Sequence, residues 1–147
     1  MTSDDVSPEP GPDPDIRLTL PARPENIAVV RHVLDALAEA LALPEAVMAD
    51  VRLAVTEACT NVVRHAYTDG RGAIDVVARP RGDALEVIVA DSGRGLEPSP
   101  DTGGPGLGLP LIAALTDTLE IEHDASAGSR LVMSFRRSRA TAAIGVA

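Results

Sequence analysis

Hydrophobic and polar residues follow one another in short, regular blocks along the first half of the chain. Residues 16–20, IRLTL, alternate between apolar and polar side chains and predict a strand with one buried face. From Glu25 to about Pro44, apolar residues recur every three or four positions and predict a first helix. A second helix is predicted from about Pro44 to Tyr67. Its inner stripe consists of Val47, Val51, Ala54, Ala58 and Val62.

The second half of the chain predicts four more strands and one helix. Residues 73–79 and 84–91 are separated by the turn-like sequence PRGD and predict an antiparallel hairpin. A glycine- and proline-rich segment follows, and then the helical pattern LGLPLIAALTDTL. Residues 120–124 and 130–135 flank ASAGS and predict a closing hairpin. Because helices do not alternate with strands one by one, this order favours an α+β, two-layer sandwich over a doubly wound parallel sheet. We expect a mixed, mostly antiparallel sheet with helices packed on one face.

A chain of 147 residues predicts a single domain. Residues 1–15 are rich in proline and acidic side chains and predict a disordered leader. The domain is expected over residues 16–136, and residues 137–147 form a C-terminal tail without a clear pattern. With one Phe, one Tyr and no Trp, the core must be aliphatic.

Charge and cysteine content exclude several classes of protein. The net charge of −9 argues against direct nucleic-acid binding, which requires a basic face. No apolar run is long enough to cross a membrane, and the single cysteine, Cys59, cannot form an intramolecular disulfide. These features predict a cytoplasmic protein.

All 13 basic residues are arginines, so a phosphate site in this chain must work without lysine. The phosphate loop G-x-x-x-x-G-K-[ST], the dinucleotide fingerprint and the eukaryotic-type protein-kinase motifs are all absent from the sequence. Nucleotide sites of those three kinds are therefore excluded.

Three separate segments carry candidate chemistry. On the second predicted helix, Glu57 and Asn61 border the buried stripe, at about 80° and 40° from Val47 on a helical projection. Asp91 ends an apolar strand and is followed by Gly93 and Gly95. Further glycines precede the third predicted helix, where free N–H groups can bind phosphate; they are Gly103, Gly104, Gly106 and Gly108. Each segment alone is also compatible with a solvated helix edge or a ligand-free loop.

Taken together and in this order, the three segments resemble one family. EACTNVVRHAY is similar to the N box, DSGRG to the first glycine box and GPGLGL to the second glycine box of the GHKL ATPases, which include gyrase, the Hsp90 chaperones, the histidine kinases and MutL. PENIAVVRHVLDAL and the HAY ending are nearest to the small anti-sigma-factor serine kinases. The resemblance covers about residues 16–136 and implies the GHKL (Bergerat) ATP-binding fold.

The resemblance implies a role for each matching residue. Glu57 matches the general base, Asn61 the Mg²⁺ ligand and Asp91 the carboxylate that receives the adenine amino group. In the first glycine box, Gly95 allows the base to approach closely, and Gly93 is also implied as an ATP-binding residue. Ser129 stands near the adenine, where the family usually has Thr. The phosphate-facing backbone is implied at Gly104, Gly106, Leu107 and Gly108.

The activity implied by the resemblance is that of an anti-sigma factor that binds a sigma factor and, with ATP and Mg²⁺, phosphorylates a serine of a STAS-type anti-sigma antagonist. Arg31 matches a partner-contact residue, and homodimers are common among similar proteins. The segment from Leu96 to Pro105 is expected to act as a lid over the phosphates, and Arg64 and Arg94 are candidates for added positive charge. His32 and His123 have no suitable partners in the sequence and are expected at the surface.

Two alternatives stay open at this point. One is a noncatalytic ATP-binding module of the same fold, which Glu57 would distinguish from a kinase. The other is a detached histidine-kinase ATPase domain, which is disfavoured because no helix with a phosphoacceptor histidine precedes the N box.

Overall fold

The computed structural model describes residues 15–67, 71–93, 108–124 and 127–138. Its elements in chain order are β1 (Ile16–Pro21), α1 (Pro24–Ala40), α2 (Glu45–Asn61), a π-helical turn (Val62–Ala66), β2 (Ala73–Arg81), β3 (Ala84–Asp91), α3 (Gly108–Leu115), β4 (Thr118–Asp124) and β5 (Gly128–Arg136). The predicted order of strands and helices is confirmed.

The five strands form one sheet in the order β1-β2-β3-β5-β4. All four pairings are antiparallel, so the described sheet is more uniform than the mixed, mostly antiparallel sheet that the sequence predicted. In the register of β3 with β5, Asp91 lies opposite Ser129, and in the register of β4 with β5, His123 lies opposite the same serine. The end of β3 is thereby placed beside the start of β5.

The helices cover one face of this sheet, as the α+β sandwich predicted. Val51, Ala54, Val55 and Ala58 of α2 are fully buried, and α2 contacts β3 and β5. Alternate residues of the central strands point to the same core. These inward residues are Ile74, Val76, Leu85, Val87, Val89, Leu131, Met133 and Phe135. Among the described residues, Phe135 is the one fully buried aromatic side chain, and most of the core is aliphatic, as expected from the composition.

Cys59 belongs to this core and has no accessible surface. Burial raises the pKa of its thiol to about 12. The thiolate, which is the reactive form, is therefore scarce at neutral pH.

The opposite face of the sheet carries cross-strand ion pairs. Arg79 lies 3.1 Å from Glu86 in the adjacent strand, and Arg130 lies 3.4 Å from Glu122. Ile88, on the same face, is only 3% exposed. Cross-strand pairs of opposite charge stabilise such a face modestly.

Three element boundaries differ from the prediction. The second helix is α-helical only to Asn61 and then widens into the π-helical turn, which an apolar pattern cannot distinguish from α-helix. The third helix, predicted to continue through residue 119, ends at Leu115, because Thr118 and Leu119 pair with β5. The first helix ends at Ala40, before Ala42 takes a left-handed φ of 52°.

The leader of residues 1–15, except Asp15, lies outside the described residues, as does the tail beyond Ser138. Within the described ranges, no helix combines the length and the apolar character needed to span a membrane.

Candidate functional site

Glu57 and Asn61 lie one turn apart near the end of α2, and both are half-buried. Their placement at the border of the buried stripe follows the helical projection of the sequence. Among the described residues, neither the Glu57 carboxylate nor the Asn61 amide has a hydrogen-bond partner. Both polar groups are therefore available to a ligand on that side of α2.

The first residue of α3 lies against Asn61. A Cβ atom placed on Gly108 would be 3.0 Å from Asn61 Nδ2 and 3.2 Å from Oδ1, closer than nearly all real Cβ contacts. A side chain here would therefore have to displace the Asn61 amide by a few tenths of an ångström. The contact brings the N–H groups at the start of α3, which attract anions, next to the Asn61 amide.

Asp91 ends β3 and is only 4% exposed. The Gly93 N–H donates to Asp91 Oδ1 over 3.0 Å. Burial raises the pKa of the Asp91 carboxyl, although the N–H groups of Gly93 and Ser129 and the nearby His123 oppose this shift. The free protein therefore holds a partly desolvated carboxylate at the end of a central strand.

Ser129 is the other buried polar residue of this region, at 4% exposure. Its hydroxyl lies 2.9 Å from Nδ1 of His123. His123 is exposed, as expected, but it does have a partner, which comes from the cross-strand register of β4 and β5 and is not visible in the sequence. Gly128, with a φ of +99°, packs directly on the Asp91 backbone and has no room for a side chain.

Tyr67 was missed as a site residue by the sequence analysis. Its hydroxyl donates to the Ala73 carbonyl over 2.7 Å and accepts the Ser92 N–H over 3.0 Å. Its ring lies against Gly72 and Gly93, where added Cβ atoms would collide with it. The available signal was the single tyrosine of the chain at the end of the HAY motif.

These contacts link four segments into one region. Asn61 contacts the start of α3, and Ala66 and Tyr67 pack on Gly93. Asp91 lies beside Ser129. A cavity of about 320 Å³ adjoins this region and is lined in part by Asp91, His123 and Ser129. A second cavity of similar volume lies between Val47 and Arg136, away from every predicted site residue.

The remaining predicted residues fall into two groups. Arg31, His32 and Arg64 are exposed on α1 and the π-helical turn. The others lie outside the described residues: Arg94, Gly95, Gly104, Gly106, Leu107 and the expected lid from Leu96 to Pro105.

The side chains of this region suit a magnesium ion that is bound mainly by the phosphates of a nucleotide. The described residues contain no cluster of three or more His, Cys, Asp or Glu side chains that could hold a metal by themselves. Asn61 offers one amide oxygen without a protein partner, and Mg²⁺ takes oxygen ligands and commonly binds through few protein groups plus substrate phosphates. The residues present therefore fit an ion shared with a nucleotide.

Comparisons with known proteins show the family to which the chain belongs. Residues 20–135 match the family model of the histidine kinase-like ATPase domain. The serine-protein kinase RsbW of Bacillus mycoides (strain KBAB4) is 35% identical over 124 residues, which cover 74% of this chain and 78% of that protein. RsbW of Halalkalibacterium halodurans is 36% identical over 124 residues, with 74% and 76% covered.

A solved structure is also similar. The crystal structure of the RsbU and RsbW domains of a Mycobacterium tuberculosis protein matches with a TM-score of 0.70 and 29% identity. The match covers 87% of this chain but 34% of the other, so this chain spans about a third of the crystallised one. The chain therefore belongs to the histidine kinase-like ATPase domain family, has the GHKL fold, and is similar to the serine-protein kinases named RsbW.

Proposed function

We propose that the protein is an anti-sigma factor that holds a sigma factor and, with ATP and Mg²⁺, phosphorylates a serine of a STAS-type anti-sigma antagonist. The observation that carries the proposal is the contact between Gly108 and the Asn61 amide, 3.0 Å from the position of an added Cβ. It joins the N box to the second glycine box at the start of a helix. The RsbW relatives, which are serine-protein kinases by name, support the reaction class.

The adenine end of the substrate belongs at β3 and β5 in this proposal. The Asp91 carboxylate accepts a hydrogen bond from the amino group of adenine. Burial of the carboxylate strengthens this bond because little water competes for the carboxylate oxygens. Gly93 lets the turn after Asp91 pack closely on Ala66 and Tyr67. Ser129 adds a hydroxyl beside the carboxylate.

The phosphate end belongs at the start of α3. Backbone N–H groups there, together with the expected contributions of Gly104, Gly106 and Leu107, bind the phosphate oxygens. Asn61 would hold the Mg²⁺ ion through its amide oxygen. When bound, Mg²⁺ neutralises phosphate charge during transfer.

Glu57, one turn before Asn61, is the general base for the serine hydroxyl that accepts the phosphoryl group. The serine hydroxyl oxygen of the antagonist forms a bond to the γ-phosphorus, the bond from that phosphorus to the bridging oxygen breaks, and ADP leaves. The Glu57 carboxylate accepts the hydroxyl proton. Outside this site, Arg31 on the exposed face of α1 is proposed as a partner contact, and the reaction is placed in the cytoplasm.

Replacing Glu57 tests the catalytic part of the proposal. We expect Glu57→Gln to lower phosphate transfer to the antagonist by roughly 10²- to 10⁴-fold, which is the usual contribution of a general base. The affinity for Mg·ATP should stay within about twofold, because Gln keeps the size of the side chain and the ATP contacts lie elsewhere. Transfer of labelled phosphate and equilibrium nucleotide binding are measured on the same preparation.

The matched control is Glu39→Gln, an exposed residue of α1, which should change neither quantity. Wild-type protein that binds Mg·ATP but transfers phosphate to none of the STAS antagonists of its own genome would contradict the kinase assignment. That result would favour the noncatalytic ATP-binding module instead. Sigma binding is tested separately, by co-purification with candidate sigma factors.

A further inference from the structure

The Tyr67 hydroxyl makes two hydrogen bonds, both to backbone groups of other segments. It donates to the carbonyl of Ala73 at the start of β2 and accepts the N–H of Ser92 after β3. One phenol oxygen therefore bridges the start of β2 and the residue after the end of β3, which lie at the same end of the antiparallel pair. The Ser92 bond is the unusual one, because Ser92 is exposed and its N–H does not need a protein partner to avoid burial.

The Ser92 bond fixes the orientation of the turn that carries Asp91. Within the turn, the Gly93 N–H donates to Asp91 Oδ1 over 3.0 Å. Outside it, the Ser92 N–H points to Tyr67 Oη over 3.0 Å. The peptide between Asp91 and Ser92 is thus held by Tyr67, while the Ala66 carbonyl, and after it the tyrosine ring, leaves no space for a side chain at Gly93. Rotation of this peptide would move the Asp91 carboxylate.

The π-helical turn explains how Tyr67 reaches this position. A π-helical turn contains one residue more than an α-helical turn, so the residues after it are rotated relative to an uninterrupted helix. Continuation of α2 as α-helix would direct Tyr67 about 160° away from Val51, toward solvent. After the π-helical turn, Tyr67 is extended, with φ −125° and ψ 124°, and packs on the glycine turn.

We propose that Tyr67 is a positioning residue for nucleotide binding, whose hydroxyl holds the Asp91–Gly93 turn in the geometry that receives the adenine base. The inference rests on the proposed adenine site but not on phosphate transfer. It couples the end of the N box to the first glycine box through one side chain.

The direct test is Tyr67→Phe, which keeps the ring and removes the hydroxyl. We expect the Kd for ADP, measured by calorimetry, to rise about tenfold. The reason is that the lost hydrogen bond orients the Asp91 carboxylate, and one hydrogen bond contributes a free energy of this size. In a transfer assay, KM for ATP should rise by a similar factor while kcat changes less than twofold, because Glu57 is not affected. Thr116→Val is the matched control: it removes a hydroxyl that donates to the Ile112 carbonyl at the end of α3, and ADP affinity should not change.

A double variant separates positioning from general destabilisation. If Tyr67 acts through Asp91, adding Tyr67→Phe to Asp91→Asn should weaken ADP binding less than twofold beyond Asp91→Asn alone. Full additivity of the two losses would overturn the proposal, and so would an unchanged Kd in Tyr67→Phe. Because ADP binding is the readout, a protein without kinase activity still gives a decisive result.

Hydrogen exchange in the unmodified protein gives a measurement that does not depend on a variant folding. We expect the Ser92 amide of the wild-type protein to exchange well below its intrinsic rate although the residue is exposed. Exchange of that amide at the intrinsic rate would show that the bond to Tyr67 does not persist, and would overturn the proposal.

Discussion

At the scale of single residues, the buried carboxylate of Asp91 combines a cost in stability with a role in binding. Because burial raises its pKa above the ordinary value of 3.8, the charged form is less favourable in the folded chain than in the unfolded chain. The contribution of Asp91 to the stability of the fold therefore becomes less favourable as the pH rises from about 3.8 through the folded-state pKa. In the proposed complex, the adenine amino group donates a hydrogen bond to this buried carboxylate.

Asp91→Asn separates these two effects. We expect the free variant to have a Tm at pH 7 at least equal to that of the wild type, since the desolvated charge is removed. The advantage should disappear near pH 3, where Asp91 of the wild type is protonated. ADP affinity should fall by about tenfold or more, because an amide offers one acceptor oxygen where a carboxylate offers two. Thermal scans at both pH values and calorimetry check this; a variant that loses stability at pH 7 but binds ADP normally would contradict it.

The residue scale also marks the limits of sequence reasoning. Glu57 and Asn61 could be placed on one border of α2 because helical periodicity is local. The partnership of His123 with Ser129 and the bridge from Tyr67 to Ser92 could not, because each depends on the register of strands or on a π-helical turn. Both are contacts between residues that only the completed sheet brings together.

At the scale of elements, the absence of a side chain at Gly108 lets the start of α3 lie directly against the Asn61 amide of α2. An alanine would improve helix propensity by up to about 1 kcal/mol, yet its methyl group would press on the Asn61 amide. We expect Gly108→Ala to keep or slightly raise the free energy of unfolding and to weaken Mg·ATP binding by about tenfold. Denaturant titration and nucleotide binding are the measurements.

Gly82→Ala is the matched control with the opposite result. Gly82 has a φ of +58° in the turn between β2 and β3, with open space around it. An alanine there should cost about 1 kcal/mol of stability through backbone strain and leave nucleotide affinity unchanged. If both variants lost stability and affinity together, the contact at Gly108 would have no specific role in the site.

Element order and type followed from the sequence because apolar spacing differs between strands and helices. The end of α3 did not, because TDTL continues an apolar pattern while pairing with β5 decides its conformation. The predicted strands at the centre of the sheet were placed well, since their alternation reflects burial against α2.

At the scale of the whole molecule, the proposed nucleotide site draws on every described element of the sheet-and-helix sandwich except β1 and α1. Asn61 and Gly108 lie in the helix layer, whereas Asp91 and Ser129 lie in the central strands. Unfolding of either layer would therefore remove the site. Nucleotide binding should stabilise both layers together.

Thermal unfolding with nucleotide tests this coupling. A ligand at 100 times its Kd stabilises by about 2.7 kcal/mol, which corresponds to a Tm increase of roughly 5–11 °C for a protein of this size. We expect Mg·ADP to produce such a shift in a single transition, and Asp91→Asn to lose most of it at the same ligand concentration. Two transitions, of which only one responds to nucleotide, would contradict the coupling.

The complete burial of Cys59 makes the native chain a convenient host for site-specific dyes. A maleimide should not react with this buried thiol but should modify a cysteine introduced at the exposed Ala113. Cys59 therefore does not need to be replaced first. A fluorophore at that place on α3 would report, in real time, how this helix responds when nucleotide arrives.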